Sequence, residues 1–180
     1  MVEQKQMEKK KDLGTEEYFE TVLSVRRVAK VIKGGRRFAF SALVVVGDRN
    51  GSVGVALGKS RDVSSAISKA LKRARKNMIY IPLYKTTIPY NVEGKHSASK
   101  VVLRSASKGT GVIAGGAVRA VMEALGVHDV LTKALGSHTP HNVVKATLKA
   151  LKKLKTANDI CKIRGKSLKE ILGEEKNVTA

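Results

Sequence analysis

The sequence predicts an α+β fold in two small domains, on three observations. Its 180 residues are 42% hydrophobic but only 4% aromatic, which suits two small aliphatic cores better than one aromatic-rich sandwich. Apolar residues alternate at period two from Phe38 to Val46 and recur at helical spacing in segments after residue 60. Clusters of glycine and proline separate these segments and mark turns. The expected organisation is a disordered arm at 1–17, a first domain at 18–82, a second at 83–157 and a tail at 158–180.

The arm is charged throughout and has no apolar pattern to bury. From Tyr18 to Val31, Phe19, Val22, Val25, Val28 and Val31 are mixed with basic residues in an extended pattern, which Gly34-Gly35 breaks. Phe38, Phe40, Ala42, Val44 and Val46 then share one face at period two. The opposite face (Ala39, Ser41, Leu43, Val45) is also mostly apolar, which predicts a central strand with Phe38 and Phe40 in the core. Gly47 to Gly51 is a hairpin turn and Ser52 to Leu57 the returning strand. Val63, Ala66, Ile67, Ala70, Leu71, Ala74 and Met78 form the apolar stripe of a helix, capped by Asp62 or Ser60. Lys69, Lys72, Arg73 and Lys76 form a second, basic stripe on it.

Ile79 to Val92 reads as extended, punctuated by Pro82 and Pro89, and Val101 to Arg104 as a strand. The turn Lys108 to Gly111 leads through Gly115-Gly116 into a helix that buries Ala117, Val118, Val121, Met122 and Leu125 and stops at Gly126. Val127 to Ala134 is a further strand. Thr139-Pro140 or Asn142 opens a third helix with Val143, Val144, Thr147, Leu148, Leu151 and Leu154 inside and Lys145, Lys149, Lys152 and Lys153 outside. In the tail, Ser167 to Glu170 fits a capping box for a short helical turn.

Charge narrows the function. The net charge is +20, and residues 18–157 carry all of it, with 26 basic and 6 acidic residues. Such a region repels itself unless a polyanion neutralises it, so nucleic acid is the first candidate partner and an anionic membrane surface the second. No apolar run approaches the roughly 20 residues of a membrane span, and the N-terminus lacks the apolar core of a secretion signal. The lone Cys161 forms neither an internal disulfide nor a Cys-based zinc site, which fits a reducing cytoplasm. A soluble, cytoplasmic protein is expected.

Arg26, Arg27, Lys30, Lys33, Arg36 and Arg37 crowd around Gly34-Gly35, with no carboxylate between Glu20 and Asp48. A solvated face normally mixes both signs, whereas this segment cannot pair internally. Arginine forks suit phosphate oxygens, and glycine backbone approaches them closely. These eight residues, with Lys59, Arg61 and Lys108, are the candidate RNA-binding set. The scarcity of aromatics argues against a platform that stacks single-stranded bases and for recognition of folded RNA by shape.

Other motifs weigh less. Gly109 to Ala114 formally matches the dinucleotide fingerprint G-x-G-x-x-G/A with Asp129 downstream, but no set of βαβ units surrounds it. A tight structural turn and an RNA phosphate contact both remain open there. Gly58-Lys59-Ser60 imitates a P-loop ending, yet position 53, where the first glycine belongs, is Val53. His138 and His141 lack a third metal ligand, and His96 and His128 have no recognisable partners. No carboxylates form an acid–base pair, and Cys161 has no histidine near it in sequence. No enzyme, cofactor or metal site is expected.

The segments RRVAKVIKGGRRFAFSALVVVGDRNGSVGVALGKSRDVSSAISKALKRARKNM, GTGVIAGGAVRAVMEALGVHDVLTKALGS and PHNVVKATLKAL closely resemble the family of bacterial-type small-subunit ribosomal protein five. The resemblance runs from about Tyr18 to Gly173 and includes the closing RGKSLKEIL. It implies a first domain like those that bind double-stranded RNA, three strands plus a helix, and a second, two-layer α/β domain with a left-handed βαβ crossover. General chain handedness would have implied the opposite crossover. It further implies binding to small-subunit (16S) ribosomal RNA, small-subunit proteins four and eight as neighbours, and a position near the path by which messenger RNA enters, with influence on assembly and decoding accuracy. Val28 to Gly35 matches the family's loop near the spectinomycin pocket, and Gly111 and Arg119 match its contact with protein four. The chain departs from the family at Ala29, where relatives often carry serine, and in its longer, more charged N-terminal arm.

Overall fold

The extended pattern after Tyr18 forms β1 (Phe19–Ile32), and the Gly34-Gly35 turn sends the chain back as β2 (Gly35–Gly47). The computed structural model describes residues 18–166 and 170. The predicted arm at 1–17, and the Ser167 to Glu170 capping box apart from Glu170 itself, therefore lie outside the described residues. β3 (Ser52–Ser60) continues past its predicted end at Leu57, and α1 (Val63–Lys76) follows. Asp62 rather than Ser60 caps α1: its carboxylate accepts the Ser65 N–H at 3.3 Å. A two-residue strand, β4 (Ile79–Tyr80), then pairs with the start of β3, completing an antiparallel sheet in the order β1-β2-β3-β4.

The predicted extension from Ile79 to Val92 is a correction. Between β4 and Val92, the described pairing in it is one bridge between Tyr84 and Thr87. Pro82 and Pro89 have no N–H to offer a ladder, so the stretch becomes a connection. The second half then supplies β5 (Val92–His96), β6 (Ser99–Ser105), β7 (Val112–Ile113), α2 (Gly116–Leu125), β8 (Val130–Gly136), α3 (Pro140–Leu151) and α4 (Ala157–Arg164). Its sheet runs β5-β6-β8-β7, with β7 parallel to β8 across α2 in a βαβ unit. Strands β5 and β7 are too short to show a period. The strand predicted from Val127 begins instead at Val130. Val127 donates its N–H to the Met122 carbonyl at the end of α2, and His128 and Asp129 donate theirs to Thr86. The predicted tail opens with α4, held by a capping box between Thr156 and Asp159.

Two apolar clusters result, but the larger one is shared between the halves of the chain. Ala42, Val44 and Val46 of β2 pack on Ala66, Ala70 and Ala74 of α1. Val45 and Val53, on the opposite face of the same sheet, join Val121, Met122 and Leu125 of α2 and the core of the second sheet. This explains why β2 is apolar on both sides. Each such valine contributes about 1.5–3 kcal/mol when fully buried. The alanine face of α1 lies so close to β3 that a Cβ at Gly58 would overlap the Ala66 carbonyl oxygen, and Gly94 of β5 stands in the same relation to Ala146 of α3.

A polar joint fixes the two halves together. The turn between β2 and β3 lies against the C-terminus of α2, where Arg49 N–H donates to the Ala124 carbonyl at 3.1 Å and Gly51 N–H to the Leu125 carbonyl at 3.0 Å. Two of the helix's orphan acceptors are thereby satisfied by the other half of the chain. Gly126 ends the helix at φ +88°, and a Cβ there would overlap the Arg49 carbonyl oxygen.

Candidate nucleic-acid interface

Strand register gives the basic cluster its shape. Pairing between β2 and β3 begins at Phe40 with Ser60, whereas pairing between β1 and β2 continues to Ile32 with Gly35. The distal part of the hairpin is thus a two-stranded arm with no third strand beside it. Residues 29–38 are exposed on both strands and in the turn. Residues directly opposite in an antiparallel pair share a face. Lys30 with Arg37 therefore lie on the face that carries Arg26 with Ser41, while Val31 with Arg36 lie on the face of Arg27 with Phe40. The six predicted cations do not form one patch: they line both faces of the arm, with Lys33 at its turn. Among the described residues the ion pairs join Arg75 to Glu20 and Lys100 to Glu93, so no carboxylate neutralises the arm.

Phe38 corrects the expectation that it belongs to the core. It is 51% exposed because α1 and β3 do not reach this far, and the Arg27 guanidinium lies over its ring, 4.8 Å from the centroid. Phe40, two pairs nearer the sheet, does pack against the α1 cluster.

The other predicted cations divide by what holds them. Lys59 is opposite Ser41, itself opposite Arg26, so these three form one row across the sheet. Arg61 is exposed in the turn before α1. On α1, Lys69 reaches Ser60 Oγ at 3.4 Å, and Arg73 donates to the Leu57 carbonyl at 3.1 Å. Arg75 is tied to Glu20 at 2.6 Å, leaving Lys72 and Lys76 facing water. Between the sheet and the start of α3 lies a cleft of about 190 Å³, lined by Arg26, Val28 and Ser41 on one side and Pro140 and His141 on the other. Burial first, then the charge of Lys145, keeps His141 below the usual histidine range. Burial together with Lys149 and Lys145 does the same for His96. The place of His141 beside Arg26 in this cleft is invisible in sequence, because the start of α3 comes near β1 only in the folded chain.

The glycine loop has a different construction. The Asp129 carboxylate, 4% exposed, accepts the N–H groups of Gly109 at 2.9 Å and Gly111 at 3.1 Å through a single oxygen. Those bonds and one from Thr86, the largest influence, hold its pKa below the ordinary aspartate value. Amides that a diphosphate would need are already bonded to a carboxylate of the same chain, so the fingerprint is a braced turn. Lys108 stands exposed beside it. Arg119 of α2 lines one cleft with Arg49, Val112 and His128 and another with Thr21 and Leu23 at the base of β1. From Thr21 to Lys30 is about 30 Å at strand rise. Gly111 and Arg119 therefore belong to a surface apart from the arm.

Neither histidine motif gathers ligands. His138 Nδ1 bonds the Gly136 carbonyl at 2.8 Å, and no group of three or more His, Cys, Asp or Glu among the described residues is arranged to hold a metal. No helix among them is long and apolar enough to cross a membrane.

The family described as ribosomal protein S5, N-terminal domain, matches residues 18–82, and ribosomal protein S5, C-terminal domain, matches residues 94–164. Small ribosomal subunit protein uS5 of Syntrophobacter fumaroxidans is 56% identical over 150 residues, 83% of this chain and 90% of the relative. Its counterpart from Lawsonia intracellularis is 57% identical over 151 residues, 84% of this chain and 93% of the relative.

Proposed function

The chain belongs to the ribosomal protein S5 family, and on that premise we propose that it is a structural, non-catalytic constituent of the small ribosomal subunit that binds 16S ribosomal RNA. The observation that carries the RNA-binding site is the arm itself: Arg26, Arg27, Lys30, Lys33, Arg36 and Arg37 on a projecting two-stranded ribbon, with no ion pair to a carboxylate found for them among the described residues. Cations on both faces suit a ribbon inserted between RNA segments better than a flat patch laid on one. Gly34 and Gly35 let the backbone at the turn approach a phosphate. Lys59 and Arg61 extend the contact along the sheet, and Lys108 adds one at the glycine loop.

The finer reading assigns 18–82 to a domain like those that bind double-stranded RNA and 83–157 to the second domain. Small-subunit proteins four and eight are the protein neighbours, with Gly111 and Arg119 at the contact with protein four. Such a component would brace RNA near the path of messenger RNA and thereby support assembly and accuracy in the cytoplasm. Bracing is mechanical, and it needs the rigidity that the shared core and the capped joint provide.

Sedimentation tests the reading directly. After a moderate-salt wash, the chain is expected to co-migrate stoichiometrically with the small subunit; migration as free protein, or smeared over all RNA, would overturn it. The arm is tested by Arg26→Ala, Arg27→Ala and Lys30→Ala together. Each lost phosphate contact removes about 0.7–0.9 from the slope of log affinity against log salt, so the triple variant should lose about 2–3 in slope with its fold unchanged. An unaltered slope and affinity would reject the arm as the contact.

A further inference from the structure

Among the described residues, strand β8 has one edge that is paired over only part of its length. It pairs with β6 along its whole length, from Val130 with Ser105 to Gly136 with Ser99, but with β7 only at Val130 and Leu131. The Val130 N–H points to the β7 side, where it donates to the Gly111 carbonyl at 3.1 Å. Backbone groups alternate between the two sides of a strand, so Ala134 also directs its N–H and C=O away from β6. No strand among the described residues receives them. The side chains beside this edge that point away from the core are Leu131, Lys133 and Leu135. Ile113 of β7 lies next to Leu131; Ile113 is 53%, Leu131 38% and Leu135 44% exposed. Across β6 the neighbouring positions are Arg104, Val102 and Lys100.

We propose that this edge receives an extended segment of a neighbouring protein of the small subunit, which adds a strand to β8. The inference rests on the subunit membership proposed above. Strand addition uses main-chain bonds for affinity and alternate side chains for selectivity. Ile113 of β7 already lies beside Leu131, so Lys133 and Leu135 would face alternate side chains of the incoming strand, and the segment should read acidic then apolar two positions apart. That carboxylate answers Lys133 and the basic residues behind it. Leucines at either end give the site an apolar character that phosphates do not match, so a protein is favoured over RNA. The short β7 leaves the edge open, and a long exposed edge is one that folded proteins ordinarily cover.

The test is hydrogen exchange of the Ala134 amide in three states: the free full-length chain, its complex with naked 16S ribosomal RNA, and purified small subunits that carry it. We expect fast exchange in the first two and at least about tenfold slowing in the subunit, lost in Lys133→Glu but kept in the control Lys72→Glu. Slowing by naked RNA alone would assign the edge to RNA and overturn the proposal. Fast exchange within a subunit that contains the chain would overturn it while leaving subunit membership intact. A chain that never co-migrates with the subunit would overturn both.

Discussion

At the scale of single residues, Gly126 and Asp129 have the sharpest roles. Gly126 combines a left-handed backbone with contact against the Arg49 carbonyl, so Gly126→Ala carries both a conformational and a steric cost. We expect a loss of about 2–4 kcal/mol, read from the denaturant midpoint. Asp129 titrates below its ordinary range because three donors favour its charged form. Its contribution is therefore full above the unfolded aspartate value of about 3.9 and is lost as pH falls through the lower folded value. Asp129→Asn should be less stable than the parent near neutrality, with the gap closing as pH falls below about 4, in melts across that range. The Gly-x-Gly motif itself was plain in sequence. What occupies its amides was not, since Asp129 reaches it only when β8 pairs with β7.

At the scale of elements, the arm shows how a register decides a surface. A two-stranded ribbon is marginal alone, and here Arg27 stacked on Phe38 stiffens its distal half. An exposed cation–π contact contributes about 0.5–1 kcal/mol, so Phe38→Ala should leave global stability within about 1 kcal/mol. Amide exchange from Val28 to Phe38 should quicken in the same variant while that of β3 and α1 does not; uniform quickening would contradict an independent arm. Periodicity located both strands of this hairpin and the turn between them. It placed Phe38 in the core because alternation marks a face, but not how far along that face the cover extends. Helices fared better. The stripes of α1, α2 and α3 fall where helical spacing predicted, except that Met78 and Leu154 lie just past the ends of α1 and α3, because a helix's apolar face is written within itself but its stop is not. Helix α4 was missed because its cap uses aspartate, Thr156 with Asp159, and none of its residues is buried.

At the scale of the whole molecule, charge and cohesion oppose each other. A net charge of +20 repels within the free chain, and added salt screens that repulsion. The same salt weakens counterion-driven binding to RNA. Raising salt from roughly 50 mM to roughly 300 mM should therefore raise the melting temperature of the free chain and lower its RNA affinity. Movement of both in one direction would show that the charge is not the common cause. Against that repulsion stand the shared core on both sides of β2 and the turn that caps α2.

Sequence alone determined the α+β class, the three principal helices, the long hairpin, the excess of positive charge and the family. Each of these depends on neighbours in the chain or on counting, so periodicity, turn residues and motif order suffice to read them. Only tertiary structure decided that Val45 and Val53 belong to the second core, that the basic residues line two faces, that Asp129 fills the glycine loop and that β8 keeps an open edge. Apart from the arm, whose faces follow from the pairing within one hairpin, those features join residues far apart in sequence. Strand register and the closeness of packed backbones set them, and no local pattern records either.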